Sequence, residues 1–329
     1  MTTINDTLRV VYGSDDNYAK FMGVSMYSLF STNTAFARIV VYVLDCGITG
    51  ENKARLRAVA EQWGREICFV DMGGAVESLN LRMGAHKIAI ASYARLFMAT
   101  LLPEECSRVL YIDCDTLVRD SLAPLWATEF GTALIAGAQD TVDSYFLSVI
   151  GLPKEARYIN AGVLLANLAA WRAENLQEKF MALIAKFEGN VPHHDQGTIN
   201  AVCGERRVII PLRYNVTANL YSFSAQTIRK IYFLDTYYPQ EELTRALEKP
   251  AIVHFTTGLL GRPWEENSTH PEQQAFWDTV QQTPWQGLQR KPDTRSLGLK
   301  AFIFFHKIVP RPIFEFVYRN ISWALHLRK

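Results

Sequence analysis

The chain has 329 residues, 49% of them hydrophobic, with a formal net charge of +1. That apolar fraction supports a buried core and excludes disorder for most of the length, and the length suits one large α/β domain or two smaller ones. Charge is uneven: residues 285–329 carry nine Lys/Arg against two acidic residues, a net of +7, leaving 25 against 31, a net of −6, in the preceding 284.

Taken in chain order, "LRVVYGS" (8–14) reads as a buried strand and "ARIVVYVLDC" (37–46) as another. Between them Phe21, Val24, Met26, Leu29 and Phe30 recur at helical spacing. A helix over 51–63, a strand at "EICFVDM" and a helical stretch "ASYARLFMATLL" follow, then a short strand "RVLYID". "TALIAGAQD" and "NAGVLLANL" are further strands, with helices expected over 168–187 and 195–203, and "PAIVHF" (250–255) is the last strong strand. Strand–helix alternation implies a parallel sheet with crossover helices. Asp15-Asp16-Asn17, Asp113/Asp115 and Gln139-Asp140 stand at the carboxyl ends of strands, the edge where open α/β sheets bind ligands. Such aspartates also serve as helix N-caps.

The five cysteines, Cys46, Cys68, Cys106, Cys114 and Cys203, show no C-x-x-C or ligand-like spacing, which fits reduced thiols in a cytosolic setting. No charged-then-apolar leader is seen, and no apolar run reaches the ~18 residues of a membrane span. The sequons at Asn215, Asn267 and Asn320 are then without consequence, because glycosylation needs the secretory route.

The stretch "YIDCDTLV" (111–118) puts two carboxylates one residue apart after a hydrophobic run. Residues i and i+2 of a strand share a side, so Asp113 and Asp115 can approach one cation. Hard oxygen ligands suit Mg²⁺ or Mn²⁺ bridging to a diphosphate. Haloacid-dehalogenase-type phosphatases also use D-x-D, as nucleophile and general acid. They place Thr or Val two positions after the second Asp, where this chain has Leu117, and they begin with the motif, which here follows over a hundred residues. The metal reading is favoured.

Six blocks in order carry a resemblance: "GSDDNYA", "SYARL", "LYIDCDTLVRDSLAPLW", "NAGVLLANLAAWR", "DQGTIN" and "HFTTGLLGRPW". Over residues 10–264 the chain resembles the family 8 glycosyltransferases, and among them the bacterial lipopolysaccharide and lipooligosaccharide galactosyl- and glucosyltransferases. The resemblance implies an α/β, GT-A-type (Rossmann-like) nucleotide-sugar-binding fold with a mixed, mainly parallel sheet. It implies a retaining hexosyltransferase that uses a UDP-sugar donor, Mn²⁺ (Mg²⁺ as the alternative) and a lipid-linked oligosaccharide acceptor. No nucleic-acid partner is expected. Asp113, Asp115 and His254 would be the metal set. Asp15 would accept the uracil N–H, Asn17 would add a polar contact and Tyr18 would stack on the base. Lys87, Ile90 and Arg95 would follow along the donor, with Gly13, Cys114 and Gly258 as further contacts. Asp140, Asn160, Asp195 and Gln196 would surround the sugar, Gln196 supporting charge at the anomeric carbon. Arg262 would neutralise the diphosphate where the family commonly has lysine, in a segment two residues longer than H-x-x-G-x-x-K-P-W. Another glycan pathway or a non-catalytic nucleotide-sugar sensor are the alternatives.

Residues 1–284 read as the catalytic domain and 285–329 as a basic amphipathic tail. A helix from Ile313 would carry Phe314, Val317, Tyr318, Ile321, Ala324 and Leu325 on one face, with Glu315, Arg319, Ser322 and His326 opposite. Two placements are open: on the anionic cytoplasmic face of a bacterial inner membrane, or packed on the domain core.

Overall fold

A computed structural model describes residues 4–75 and 90–326. The apolar runs form strands β1 (Ile4–Ser14), β2 (Phe36–Asp45), β3 (Glu66–Asp71), β4 (Arg108–Ile112), β5 (Thr116–Val118), β6 (Ile135–Gln139), β7 (Ile159–Asn167), β8 (Arg207–Ile209), β9 (Val216–Thr217) and β10 (Ile252–His254). Seven build one sheet in the order β3-β2-β1-β4-β7-β6-β8, and three build another in the order β5-β10-β9. In the large sheet β7 alone runs against its neighbours β4 and β6, and the other pairings are parallel. The sheet is therefore mixed and mainly parallel.

Helices Ala19–Thr32 and Gly50–Gln62 make the crossovers from β1 to β2 and from β2 to β3. The first buries Phe21, Val24, Met26, Leu29 and Phe30, the residues at helical spacing. Strands covered on both faces read as continuous apolar runs, and Val10, Val11, Tyr12, Leu110 and Tyr111 are all buried.

This connectivity places the site. From β1 the chain builds outward to β2 and β3, then returns to lay β4 on the other side of β1. The crevice beyond the carboxyl ends of β1 and β4 is thus a topological switch point. Because β1, β4 and β6 run the same way, Asp15, Asp113 and Asp140 emerge at one edge. The reversed β7 starts at that edge, so Asn160, its second residue, joins them.

The helix expected over 168–187 is two helices, Leu168–Ala173 and Leu176–Lys186. Between them Asn175 has a left-handed φ of 52°, which a short polar side chain tolerates.

The tail forms helices Leu297–Ile308 and Arg311–His326. Phe314 is fully buried, stacked on Phe223 with centroids 6.1 Å apart and tilted against Phe302 at 5.3 Å. Glu315 does not face outward as its position opposite Phe314 suggested. Its carboxylate accepts from the Ser224 amide (3.0 Å), the Ser224 hydroxyl (3.1 Å) and Thr227 Oγ1, at the N-terminus of helix Ala225–Ile231. Burial works to raise the Glu315 carboxyl, but these bonds outweigh it and hold it below its ordinary value. Another face of the tail stays open: Phe304, Ile308, Ile313, Phe316 and Trp323 are all more than half exposed.

The buried and open faces respond differently to substitution. Phe314→Ala is expected to cost about 3–5 kcal/mol, and Phe316→Ser to stay within about 0.5 kcal/mol of wild type. Urea unfolding followed by circular dichroism separates them. Equal, negligible effects would mean that the tail contributes nothing to the folded body.

Candidate active site

Asp113-Cys114-Asp115 fills the junction where the chain leaves the large sheet at the end of β4 and enters the small one at β5. The two aspartates therefore do not alternate along one strand. A turn between two sheets aims them inward. The junction is pinned on both sides: the Asp113 amide donates to Gly162 O (2.8 Å), and Thr116 Oγ1 donates to Asp113 O (2.9 Å). Strand β10 lies antiparallel to β5 with His254 opposite Thr116, and the Phe255 amide donates to Asp115 O (2.8 Å).

The result brings His254 Nε2 to 3.6 Å from Asp113 Oδ2 and 3.4 Å from Asp115 Oδ1. One ligand atom from each residue lies within 4.8 Å of the others, and among the described residues no other group of at least three metal-capable side chains is so arranged. Two hard carboxylates and an imidazole around one point fit a divalent cation such as Mn²⁺ or Mg²⁺. The backbone is shaped for this corner: a Cβ on Gly162 would fall 2.2 Å from His254 Cε1 and 2.6 Å from Asp113 Oδ2. Among the described residues, the paired histidines His193 and His194 belong to no such metal-capable group.

Two arginines flank the corner. Arg95, buried, donates to Asp113 Oδ1 (2.9 Å) and Ala161 O (2.6 Å), pairs with Asp195 Oδ2 (2.9 Å), and lies 4.2 Å over the Tyr111 ring. Burial works against its charge, but Asp113 and Asp195 outweigh that and raise it above the ordinary guanidinium value. Arg262 donates to Asp115 Oδ2 (3.2 Å), to Phe255 O (3.0 Å) and to the Tyr18 hydroxyl (3.3 Å). Burial works to raise the Asp115 carboxyl, but His254 and Arg262 outweigh it and hold it low. For Asp195 burial dominates and pushes the carboxyl up to about 6, with Arg95 opposing and Asp113 adding.

A cleft of about 250 Å³ opens here, lined by Gly13, Asp15, Tyr18, Arg95, Asp113, Cys114 and Asp115. Asp15 accepts from the Tyr18 amide (3.0 Å) and from Asn17 Nδ2 (3.3 Å), which organises the turn after β1, with Asn17 exposed at the rim. The Cys114 thiol, pushed up by burial, donates to Gly13 O (3.3 Å) and ties the ends of β1 and β4 together.

Asp140, Asn160 and Gln196 form a second group beside it. Asp140 Oδ2 accepts from Asn160 Nδ2 (3.0 Å) and Gln196 Nε2 (2.8 Å), while Gln196 Oε1 accepts from the Ala161 amide (3.0 Å). Asp195 sits in the first turn of helix His194–Cys203, which favours a carboxylate, but its side chain is turned to Arg95 instead of capping the helix. Gly258 does not line the cleft; it lies against Ala218 in the loop after β10, where a Cβ would come within 2.9 Å. Lys87 lies outside the described residues, as does the side chain of Ile90. Sequence reasoning passed over Gly162, Tyr111 and Asn215, the last seen only as a sequon.

The profile of glycosyl transferase family 8 matches residues 9–268. The chain belongs to this family. It is 27% identical over 289 residues to General stress protein A of Bacillus subtilis, covering 85% of this chain and 96% of that protein. It is 24% identical over 292 residues to the lipopolysaccharide 1,3-galactosyltransferase of Salmonella typhimurium, covering 85% of this chain and 80% of that one. The galactosyltransferase LgtC, solved with donor and acceptor sugar analogs, superposes with a TM-score of 0.71 at 25% identity, covering 85% of this chain and 99% of LgtC. The fold is accordingly GT-A, and this glycosyltransferase carries its Asp-Asp-His corner at the switch point.

The closeness of Gly162 to that corner gives a direct test. Gly162→Ala must displace His254 or Asp113, and is expected to weaken divalent-metal binding at least about tenfold, roughly 1.4 kcal/mol. Calorimetric metal titration, with circular dichroism to confirm folding, measures it. Unchanged affinity would place the metal elsewhere.

Proposed function

We propose that this glycosyltransferase moves galactose or glucose from a UDP-sugar, with retention at the anomeric carbon, to a lipid-linked glycan of the lipopolysaccharide or lipooligosaccharide core type. The observation that carries the reading is the order of groups along one sheet edge. Asp15 and Tyr18 form one end of the cleft, the Asp113/Asp115/His254 corner its middle, and the Asp140/Asn160/Gln196 cluster lies beyond. A nucleoside, a diphosphate and a hexose have the same order. The acceptor class follows the lipopolysaccharide 1,3-galactosyltransferase of Salmonella typhimurium, and the hexose donor that enzyme and the galactosyltransferase LgtC.

Tyr18 presents an aromatic face to the base, and Asp15 a carboxylate to a ring N–H. Asp113, Asp115 and His254 would hold Mn²⁺, or Mg²⁺, which when bound supplies the positive charge that neutralises a departing diphosphate. Arg262, fixed on Asp115, Phe255 O and Tyr18, brings a second cation to the same place. Asp140, Asn160 and Asp195 would grip sugar hydroxyls, and a pocket built on such pairs rejects a sugar that lacks the hydroxyl.

Retention needs either a covalent intermediate or departure and attack on one face. Asp195 is held by Arg95 at 2.9 Å, which ties up the carboxylate that would otherwise be the better nucleophile. Gln196 has one lone pair of its Oε1 occupied by the Ala161 amide, leaving the other to face developing positive charge. Same-face attack, with the departing diphosphate taking the acceptor proton, is the mechanism that this arrangement supports.

Incubation with UDP-galactose, UDP-glucose and their N-acetyl analogues in Mn²⁺, following UDP release and the anomer by NMR, tests the reading. One hexose donor is expected to turn over with an α product, and Gln196→Ala to lose about 10–10³-fold in rate with the anomer unchanged. A glycosyl adduct on Gln196 or Asp195, found by mass spectrometry during turnover, would overturn the same-face mechanism. No UDP release from any donor would favour a nucleotide-sugar sensor.

The tail would hold the enzyme to the cytoplasmic face of a membrane. Phe304, Ile308, Phe316 and Trp323 are exposed beside Lys307 and Arg319, and apolar groups flanked by basic ones suit an anionic lipid surface. Among the described residues no helix is long and apolar enough to cross a membrane. Flotation with phosphatidylglycerol vesicles is expected to carry the wild-type protein, and Phe316→Ser/Trp323→Ser to remain behind while still folded. Equal flotation of both would remove the tail from membrane binding.

A further inference from the structure

Asn215 lies just before β9, which runs parallel to β10 and sets it beside His254. It is almost fully buried, and its amide makes one hydrogen bond at each end. Asn215 Oδ1 is 3.0 Å from His254 Nδ1, and Asn215 Nδ2 donates to Asn160 Oδ1 (2.8 Å). Asn160 Oδ1 also accepts from the Gly162 amide (2.9 Å), and Asn160 Nδ2 donates to Asp140 Oδ2, which Gln196 Nε2 also reaches.

The direction of the bonds from Asn160 through Asn215 to His254 is dictated from one point. A backbone N–H can only donate, so the Gly162 amide requires oxygen at that end of Asn160. With oxygen there, Asn215 must offer its NH₂ group to Asn160. Asn215 then has only its oxygen left for His254, so His254 Nδ1 must carry the proton. Nε2 becomes the nitrogen with a free lone pair, and Nε2 is the atom that faces Asp113 and Asp115.

We propose that Asn215 is a positioning residue of the transferase: it holds His254 in the Nδ1–H tautomer with Nε2 aimed as a metal ligand, and links that ligand to the Asp140/Gln196 pair. The inference rests on the metal-dependent reading of the site. It gives a buried amide in a different segment a defined task, since an outer partner that orients a ligating imidazole controls metal affinity. It also makes the metal corner and the sugar-facing cluster one hydrogen-bonded unit, so disturbance at one is felt at the other.

Nitrogen-15 NMR of the ¹⁵N-histidine-labelled full chain, in alkaline buffer where imidazoles are neutral, reads the tautomer directly. His254 is assigned by its absence in His254→Gln. Mn²⁺ titration followed by electron paramagnetic resonance gives the metal affinity, with and without UDP. The wild-type protein is expected to show His254 as Nδ1–H, and Asn215→Ala to show a mixed tautomer with Mn²⁺ binding weakened about 10–100-fold. A wild-type His254 protonated at Nε2, or an Asn215→Ala protein that binds Mn²⁺ as tightly as wild type, would overturn the proposal. Failure of the wild-type protein to bind Mn²⁺, with the Nδ1–H tautomer present, would instead overturn the metal reading beneath it.

Discussion

Two carboxylates held side by side in a half-buried corner repel one another unless positive charge meets them, and much of this molecule is arranged around that need. Arg95 neutralises Asp113, Arg262 neutralises Asp115, and His254 stands between the two aspartates. The three cationic or protonatable partners come from three parts of the chain: the segment before β4, the loop after β10, and the end of β10 itself. The corner forms only when the small sheet β5-β10-β9 has closed against the end of β4. Fold and site are thus coupled through electrostatics. Truncating one member of such a set leaves another buried and unpaired, the costly case for buried charge.

The coupling has a second layer made of amides. Asn215, Asn160 and Gln196 carry no net charge, yet they fix the orientation of His254 and Asp140, because Asn160 and Gln196 are each anchored to a backbone N–H and to the Asp140 carboxylate, and Asn215 is oriented by Asn160. Fully satisfied buried networks specify one arrangement. Here that arrangement spans the ground between the proposed diphosphate and hexose positions.

Much of the large sheet was legible because strands covered on both faces are uniformly apolar, and because the carboxylate clusters punctuate their ends. The reversed direction of β7 was not, since periodicity does not encode strand polarity. Nor was the transfer of the chain from one sheet to another at Asp113–Asp115: the sequence puts the pair at the end of the "RVLYID" strand, and only long-range pairing with β10 shows a second strand starting at Thr116. Asn215 carried no local signal, because its meaning lies in contacts with residues 55 and 39 positions away. In the tail, helical periodicity found Phe314 and Tyr318 on one face but set Glu315 on the wrong one. Its carboxylate meets the Ser224 amide and the Ser224 and Thr227 hydroxyls at the start of helix Ala225–Ile231, and is drawn inward by hydrogen bonding that no pattern of hydrophobicity records.

The central claim is that the Asp113/Asp115/His254 corner is where metal and diphosphate meet. Calorimetric titration of UDP into the full-length protein, once with Mn²⁺ and once with chelator, and repeated on Asp115→Asn, tests it most directly. The account predicts UDP binding that requires Mn²⁺ in the wild-type protein and is weakened together with Mn²⁺ affinity in the variant. UDP affinity that is the same with and without metal, and the same in both proteins, would contradict it.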